Sequence, residues 1–375
     1  MPRQKKNGNY RWEDPESLLV YVGTYAPAHR NSIFLYRLNQ QTGQLTRIKG
    51  FKGGEKPSYM VFDAQHRYMY AVNEQENYRG KSSGAVCAFA VNRETGNLTF
   101  LNRTPSLGSL PVYITLSRTG KSALVANYKS GTISVLPVQE NGKLAKASEQ
   151  IRHHGAGPDP NRQESAHVHC ITCSPDGRFV FVVDLGNDSI MQYKLHADEQ
   201  HLLPGKLVAT FKTEPGSGPR QLRFHPGGRF AYLIHELSSV ISALTYNPEA
   251  GTFTEIQTIA TITAEYHQEN KCGGIRITSD GRFLYGSNRG HNSLAVFAID
   301  ETSGKLTHLE NTPSGGAWPR EFTIAGNGNF LLAANQHSGT IVSFRIDRHT
   351  GKLTHSGYQA ELEKPVFIGT IEYMN

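Results

Sequence analysis

The chain has 375 residues, of which 38% are hydrophobic and 19% charged, with 37 glycines and 18 prolines. This composition is typical of a globular, turn-rich protein and excludes collagen-like, coiled-coil and disordered chains. The net charge of +7 is spread without a long basic run, a basic and aromatic stripe, or the spacing of a helix-turn-helix or zinc finger. We therefore expect no nucleic-acid partner.

The N-terminal residues, the apolar segments and the cysteines bear on where in the cell the protein works. Residues 1–16 are polar, lack the apolar stretch of a secretory signal, and predict a flexible tail before a single domain over 17–375. No segment approaches the ~18 consecutive apolar residues of a membrane helix. The four cysteines are too few for a disulfide scaffold in a chain of this length. We expect a cytoplasmic protein with no membrane partner, and the oligomeric state stays open.

A short turn followed by an apolar residue recurs seven times along the chain. Successive copies lie 46 to 58 residues apart, an interval that suits four short strands with their turns, as in a propeller blade. The apolar residues of this turn repeat are Leu45, Leu98, Leu144, Leu202, Phe253, Leu306 and Leu353.

A second repeat has the pattern of a β-hairpin and aligns six times without a gap. Each copy alternates apolar and polar residues, breaks at a turn such as SPDG over 174–177, and resumes as a β-rich run. The copies begin at Pro57, Pro111, Val168, Pro219, Cys272 and Pro319. A seventh copy begins at Pro365, but the chain ends before its second strand.

The missing strand is predicted at the other end of the chain, where SLLVYVGTY over 17–25 has the right character. Pairing it with the C-terminal strand closes a ring and removes exposed sheet edges. We predict an all-β protein, a seven-bladed β-propeller with four-stranded antiparallel blades, whose ring is closed by the N-terminal strand joining the last blade. Capped stretches of helical periodicity longer than ten residues are lacking.

The repeat also predicts which side chains share one mouth of the central channel. In an antiparallel hairpin, the start of the first strand lies beside the end of the second. The charged, imidazole and amide side chains at these positions are His169, Arg220, Arg320, Glu74, Asp184, His235, Glu236, Arg289, Asn73, Asn127, Asn288, Asn335 and Gln336. A rim this rich in titratable groups is typical of a binding or catalytic face. For single members, an inter-blade salt bridge or a turn cap is the competing interpretation.

A metal site is suggested by HVHCITC over 167–173, which contains H-x-H and C-x-x-C. On a regular strand Cys170 and Cys173 face opposite sides, so they do not chelate one ion. His167 and His169 share a face but are too few for a site. We expect no metal and no cofactor, since a G-x-S-x-G elbow, a phosphate loop and a dinucleotide fingerprint are also lacking.

The hairpins HVHCITCSPDGRFVFVVDLGNDSIMQY, GSGPRQLRFHPGGRFAYLIHELSSVISALTY and DGRFLYGSNRGHNSLAVFAID resemble the lactonase family of seven-bladed propellers. That family contains the propeller-type 6-phosphogluconolactonases and the carboxy-cis,cis-muconate cyclases. The resemblance implies a metal-free lactone hydrolase of the pentose phosphate pathway acting on an anionic small-molecule lactone, 6-phosphoglucono-δ-lactone. It places the family's catalytic residues on His169, Arg220, Glu236 and Arg289, all of which also lie on the predicted rim.

The general base is left open between His169 and Glu236, each of which can activate water beside the arginines. Substrate binding is predicted for a further set of side chains: Arg320, Lys129, Asn127, Asp184, Asn288, Asn335 and His167. The chain departs from the family pattern at Val112-Tyr113, where many relatives have a polar residue, and at Gln221, where GPRH is common. Either departure bears on the size or polarity of the lactone.

Two other functions fit the same rim. One is lactone chemistry on a dicarboxylate of the muconate type, with the arginines holding carboxylates instead of a phosphate. The other is a non-catalytic propeller that serves as an interaction scaffold, which predicts partner binding without lactone turnover.

Overall fold

The computed structural model describes residues 17–194, 207–326 and 328–371. These residues form 30 β-strands and no α-helix, and 28 of the strands make seven four-stranded antiparallel sheets. The prediction of an all-β, seven-bladed propeller is therefore confirmed. The predicted tail over 1–16 and the turn repeat at Leu202 lie outside the described residues. Within them there is no helix of the length and apolarity that crossing a membrane requires.

The seven sheets follow one another along the chain as blades. Blade 1 contains β1 (Ser17–Thr24), β2 (Ile33–Asn39), β3 (Leu45–Phe51) and β30 (Pro365–Ile371). Blade 2 contains β4 (Met60–Phe62), β5 (Tyr68–Asn73), β8 (Ala85–Val91) and β9 (Leu98–Pro105), with a small ribbon of β6 (Asn77–Tyr78) and β7 (Lys81–Ser82) inserted. Blade 3 contains β10 (Pro111–Leu116), β11 (Ser122–Asn127), β12 (Thr132–Pro137) and β13 (Glu149–Arg152).

The remaining four blades repeat the same order from the channel outwards. Blade 4 contains β14 (Val168–Cys173), β15 (Phe179–Asp184), β16 (Ser189–Lys194) and β17 (Leu207–Lys212). Blade 5 contains β18 (Pro219–Phe224), β19 (Phe230–His235), β20 (Val240–Asn247) and β21 (Thr252–Ala260). Blade 6 contains β22 (Lys271–Ile277), β23 (Phe283–Arg289), β24 (Ser293–Ile299) and β25 (Leu306–Pro313). Blade 7 contains β26 (Pro319–Ala325), β27 (Phe330–Asn335), β28 (Thr340–Ile346) and β29 (Leu353–Glu361).

Ring closure is as predicted from the sequence. The N-terminal strand β1 pairs antiparallel with the C-terminal strand β30, from Leu19 opposite Ile371 to Thr24 opposite Pro365. Blade 1 is therefore built from both ends of the described chain. The pairing covers the inner edge of β1, which would otherwise present unpaired backbone groups to other chains.

The turn repeat marks where one blade meets the next. The fully buried Tyr21, Tyr232 and Tyr285 lie on second strands and donate their hydroxyl hydrogens to turn carbonyls of the following blade. Their acceptors are the carbonyl oxygens of Gly96, Gly304 and Gly351, at 2.7, 2.9 and 2.8 Å. Each of these glycines has a positive φ, a conformation that glycine adopts without steric cost. The recurring T-G or S-G turn is thus a docking point between blades.

Candidate active site

The hairpin register places the predicted rim residues at one mouth of the channel. Inner-strand starts lie opposite second-strand ends, as for Val168 with Asp184, Pro219 with His235 and Pro319 with Asn335. This is the arrangement that the sequence repeat predicted. The side chains at this mouth nevertheless fall into two groups with different surroundings.

A β-bulge at the start of the inner strands turns three rim side chains out of the regular ladder. In β14 the pairing moves from Val168 directly to Cys170 and skips His169. The same shift leaves Arg220 unpaired in β18 and Arg320 unpaired in β26. A bulge re-aims a side chain relative to the pleat and is frequent beside active sites.

Glu236 is the centre of the first group. It follows β19 directly and is 4% exposed. Its Oε2 accepts hydrogen bonds from Arg220 Nε at 3.0 Å and Arg289 Nη2 at 2.7 Å. Its Oε1 accepts from Arg162 Nη2. One buried carboxylate thus orders three guanidinium groups from two blades and one connecting segment.

The two deeper arginines are also held by backbone carbonyls of blade 6, which neighbours the blade of Arg220 and contains Arg289. Arg220 Nη1 donates to Gly273 O at 2.7 Å, and Arg289 donates to the carbonyls of Lys271 and Cys272 at 3.1 and 2.6 Å. Among the described residues, Arg220 Nη2 and Arg289 Nη1 have no acceptor. These fixed guanidinium groups therefore keep donors in reserve for an oxyanion.

A second ion pair lies at the same mouth, between blades 2 and 7. Arg320 Nη2 lies 3.5 Å from Glu74 Oε2, and its guanidinium carbon lies 5.0 Å from the ring centroid of Tyr25. The Tyr25 hydroxyl donates to Glu74 at 2.8 Å. Burial raises the pKa of Tyr25 above its ordinary value, so its hydroxyl is a hydrogen-bond donor at neutral pH.

His169 faces these charges as a neutral base. Burial lowers the pKa of His169 well below its usual value, and the Arg220 charge lowers it further. Its Nδ1 is buried and has no hydrogen-bond partner among the described residues. The ring packs edge-on against Tyr128, with centroids 5.8 Å apart. A neutral imidazole with an unpaired nitrogen can accept a proton from water.

Glu236 has the opposite electrostatic character. Burial alone would raise the pKa of Glu236, but Arg289, Arg220 and Arg162 outweigh burial and hold this pKa well below the ordinary glutamate value. Burial and the neighbouring Arg289 charge also lower the pKa of Arg220 to about 10. The carboxylate therefore stays ionised, and each of its oxygens already accepts a hydrogen bond from a guanidinium group, whereas Nδ1 of His169 has no such partner among the described residues.

The charges at this mouth do not balance. Four guanidinium groups, Arg162, Arg220, Arg289 and Arg320, face two carboxylates, Glu236 and Glu74, and His169 is neutral. This set of side chains therefore has an excess of two positive charges, and the deeper Arg220 and Arg289 are shielded from bulk water. Buried charge without a partner is costly, and the arrangement is suited to a ligand with two negative charges.

Polar side chains fill the channel beneath the cluster. Arg223 spans the channel and donates to the hydroxyls of Tyr113 at 2.6 Å and Tyr59 at 2.9 Å. Gln221 donates to Glu321 at 3.0 Å. The two departures from the family pattern, at Val112-Tyr113 and at Gln221, thus lie in the part of the channel beneath the cluster. Tyr113 also stacks on Tyr59, with ring centroids 4.1 Å apart.

Three amides predicted to bind substrate have a different environment. Asn127, Asn288 and Asn335 have no exposed surface. Their Nδ2 atoms donate to loop carbonyls that follow the outer strand of the preceding blade, namely Ser106 O, Thr261 O and Ser314 O, at 3.2, 3.0 and 2.9 Å. These contacts tie the second strand of a blade to the loop that enters it from the preceding blade. The structure thus gives the three amides a supporting role, and substrate contact by them stays a prediction.

Asp184, His167 and Lys129 surround the cluster without joining it. Asp184 is fully buried and accepts from His167 N at 2.7 Å and pairs with His153 Nδ1 at 3.0 Å. His167 stacks on Tyr128 with ring centroids 4.5 Å apart and lies 3.1 Å from Glu164 Oε1. The exposed Lys129 is paired with Glu76. Substrate binding by these three also stays a prediction.

The described residues contain no group of three or more His, Cys, Asp and Glu side chains placed to hold a metal ion. Cys170 is buried and Cys173 is half-buried, and neither forms a disulfide bond. The H-x-H and C-x-x-C pattern therefore corresponds to strand packing in β14. Metal independence itself stays a prediction that a chelator can test.

Almost the whole chain is similar to proteins of one known family. Residues 19–370 match the family described as "Lactonase, 7-bladed beta-propeller". The chain belongs to this lactonase family. A 6-phosphogluconolactonase of Bacillus subtilis (strain 168) is 35% identical over 304 residues, which cover 81% of this chain and 84% of that protein.

Two further relatives of this lactonase-family chain differ in their names. A 6-phosphogluconolactonase of Formosa agariphila is 31% identical, over 81% of this chain and 86% of that protein. The structure of a periplasmic gluconolactonase of Pseudomonas aeruginosa superposes with a TM-score of 0.88 at 32% identity, covering 95% of this chain and 99% of that one. The relatives thus include lactonases named for a phosphorylated and for an unphosphorylated gluconolactone.

The sequence repeat missed three residues of the lactonase-family site. Arg162 and Tyr128 contact each other at 3.4 Å, and Tyr25 contacts Glu74. Arg162 lies in the segment between β13 and β14, which has no counterpart in the hairpin alignment. Tyr128 and Tyr25 each follow the second strand of a blade. Tyr128 occupies a strand-end position of the hairpin repeat, but the predicted rim contained only charged, imidazole and amide side chains. No charge pattern in the sequence marks them.

Proposed function

We propose that this protein is a lactone hydrolase that converts 6-phosphoglucono-δ-lactone and water to 6-phosphogluconate, an early step of the pentose phosphate pathway. The observation that carries the proposal is a neutral imidazole, His169, beside four guanidinium groups with two uncompensated positive charges. A phosphate monoester carries about −1.5 to −2 charges at pH 7. The relatives from Bacillus subtilis and Formosa agariphila named 6-phosphogluconolactonase support the same substrate.

In the proposed mechanism, His169 acts as the general base. It removes a proton from water while the water oxygen attacks the lactone carbonyl carbon, and the carbonyl oxygen becomes an oxyanion. The reserve donors on Arg220 and Arg289 stabilise this oxyanion. The ring carbon–oxygen bond then breaks, and the protonated imidazole returns its proton to the departing ring oxygen. The immediate products are a carboxylic acid, a free hydroxyl and a neutral His169, and the acid then releases its proton to solvent and becomes a carboxylate.

Glu236 supports this chemistry as a positioning residue. It fixes Arg220 and Arg289 through Oε2 and Arg162 through Oε1, so the donors are oriented before substrate arrives. Donors that need no reorientation during the reaction are the more effective stabilisers of developing charge. The choice between His169 and Glu236, open in the sequence, is thereby resolved in favour of His169 within this proposal.

Glucono-δ-lactone is the second candidate substrate, because the relative from Pseudomonas aeruginosa is named a gluconolactonase. The uncompensated positive charge favours the phosphorylated lactone, since the neutral sugar offers nothing to balance it. A dicarboxylate lactone of the muconate type is the other anionic candidate. We further propose that the protein works in the cytoplasm without a metal; the location fits its four cysteines, none of which forms a disulfide bond.

The test is acid release by the purified protein from each of the three lactones, near pH 7, corrected for spontaneous opening and repeated with a chelator. We expect kcat/KM for the phosphorylated lactone to exceed that for glucono-δ-lactone by about 100-fold, the worth of one or two charge-assisted hydrogen bonds. The chelator should change nothing. Preference for glucono-δ-lactone or for the dicarboxylate lactone would overturn the substrate, and no turnover of any lactone would overturn the proposed function.

A further inference from the structure

Arg162 differs from the other arginines of the cluster in the type of structural element on which it lies. Arg220, Arg289 and Arg320 lie on strands of the propeller, whereas Arg162 lies on the connecting segment between β13 and β14. Its side chain is 27% exposed, against 3% for Arg220 and 4% for Arg289. Arg162 is therefore the outermost of the three guanidinium groups on Glu236 and the one nearest to solvent.

The segment that carries Arg162 is folded into a tight turn. Asp159 Oδ1 accepts hydrogen bonds from the backbone N–H groups of Asn161 and Arg162, at 2.9 and 3.2 Å. Gln163 closes the turn, since its backbone N–H donates to Asp159 O at 2.7 Å and its Nε2 donates to Leu185 O at 2.8 Å. Because the turn is bonded to blade 4, Arg162 is presented at a defined position over the mouth.

Most of the hydrogen-bonding capacity of Arg162 is unused. Its Nη2 donates to Glu236 Oε1 and lies 3.4 Å from the Tyr128 hydroxyl. Within residues 17–194, 207–326 and 328–371, its Nε and Nη1 atoms have no acceptor. A guanidinium fork presents N–H donors on two edges of its plane, so Nε or Nη1 of Arg162 can donate to a phosphate oxygen while Nη2 still pairs with Glu236.

The order of the groups at the mouth matches the order of the groups in a phosphorylated sugar lactone. His169 and the reserve donors of Arg220 and Arg289 are buried and suit the carbonyl end. The phosphate is carried at the opposite end of the sugar, so it must point towards solvent. Of the other cations there, Lys129 is already paired with Glu76, and Arg320 stacks on Tyr25 beside Glu74.

We propose that Arg162 is a specificity-determining residue that binds the terminal phosphate and so distinguishes phosphorylated from unphosphorylated sugar lactones. This inference rests on the proposed function and names the residue responsible for its substrate class. His169, Arg220 and Arg289 build the reaction centre from strands of the propeller, whereas the turn that carries Arg162 adds the second recognition point.

The test compares kcat and KM of the wild type, Arg162→Gln, Arg162→Lys and Arg320→Gln on 6-phosphoglucono-δ-lactone and glucono-δ-lactone. Arg93→Gln, in an exposed turn outside the site, is the matched control for loss of one arginine, and melting temperatures report folding. Arg162→Gln should raise KM for the phosphorylated lactone by about 10- to 100-fold, with kcat changed far less. Arg162→Lys should be intermediate, because it keeps the charge and loses the fork.

Two results would overturn the inference. One is an equal loss of kcat/KM on both lactones in Arg162→Gln, which would mean that Arg162 only supports Glu236. The other is loss of phosphate discrimination in Arg320→Gln with discrimination intact in Arg162→Gln.

Calorimetric binding of 6-phosphogluconate gives a measurement independent of turnover. Weaker binding by Arg162→Gln than by the wild type and Arg93→Gln, by about tenfold or more, supports the inference even if the wild type hydrolyses neither lactone. In that case only the proposed function fails. Equal binding by Arg162→Gln and the wild type, or no binding by the wild type, overturns the inference whatever the turnover.

Discussion

His169 and Glu236 share a site but are prepared for different tasks. His169 is buried among cations and stays neutral, so it has a lone pair to offer. Glu236 is buried among the same cations and stays ionised, with each oxygen occupied by a guanidinium donor. Burial among the same arginines thus keeps the imidazole unprotonated and the carboxylate ionised.

The first prediction concerns His169→Gln. Removal of the general base should lower kcat for lactone opening by about 10²- to 10⁴-fold, with a much smaller effect on KM. The measurement is steady-state turnover of 6-phosphoglucono-δ-lactone after correction for spontaneous opening.

His235→Gln is the matched control for this variant. His235 is as buried as His169, burial lowers its pKa to about 3, and its Nε2 lies 3.0 Å from Ser242 Oγ outside the cluster. It should keep a near wild-type kcat in the folded protein. A wild-type kcat in folded His169→Gln would remove this residue from the mechanism.

The second prediction concerns the pH dependence of kcat/KM. Because burial and Arg220 lower the pKa of His169 and the arginines lower that of Glu236, both groups stay deprotonated well below pH 6.5. Measured with glucono-δ-lactone, which has no phosphate that titrates near pH 6, the free enzyme should therefore keep a level kcat/KM from about pH 8 to about pH 6, and lose activity only in more acid solution, where His169 takes up a proton. An acid limb with a midpoint near 6.5, the ordinary histidine value, would show that the imidazole is not perturbed in this way.

At the scale of the strand, the β-bulges at the start of the inner strands explain how the hairpin repeat predicted the position of three rim residues. A regular inner strand would send alternate side chains into the blade and into the channel. The skipped residues His169, Arg220 and Arg320 escape this alternation and turn towards the mouth. These three residues align in the sequence because each copy of the hairpin repeat starts at the same point of its inner strand.

Two features of the site could not be predicted from the sequence: the direction of individual side chains and a contact between distant segments. Asn127 and Asn288 lie at the predicted mouth, yet their side chains turn to loop carbonyls, because strand position predicts the end of the channel and not the direction of each side chain. Arg162 belongs to a connecting segment outside the repeat, and its partner Glu236 is 74 residues away. Only the folded ring shows that they meet, since neither spacing nor periodicity relates them.

The third prediction tests the contact between blades 1 and 2. A Cβ atom added at Gly23 on β1 would lie 2.1 Å from the carbonyl oxygen of Pro57, a backbone atom that cannot rotate away. Gly23→Ala should therefore force the two blades apart and lower the free energy of unfolding by about 1–3 kcal/mol. Chemical denaturation of the purified protein measures this difference.

Gly227→Ala is the control for this change. Its added Cβ would meet only the His225 side chain, at 3.1 Å, in an exposed turn. It should alter stability by much less than Gly23→Ala. Equal stability of Gly23→Ala and the wild type would show that the closing blades are not in the tight contact described.

At the scale of the whole molecule, closure of the ring is what creates the site. The cluster draws Tyr25 from blade 1, Glu74 from blade 2, His169 from blade 4, Arg289 from blade 6 and Arg320 from blade 7. No single blade could hold these charges together. Membership of the lactonase family and the unbalanced positive charge at one mouth then point to the same class of substrate, an anionic lactone.

The most direct test of this account is a crystal structure of the protein with 6-phosphogluconate bound. We expect the product at the mouth of the channel, with its carboxylate beside His169 and within hydrogen-bond distance of Arg220 and Arg289, and its phosphate on Arg162. Product bound on the opposite face of the ring, or bound at this mouth without contact to His169 and the arginines, would contradict the account.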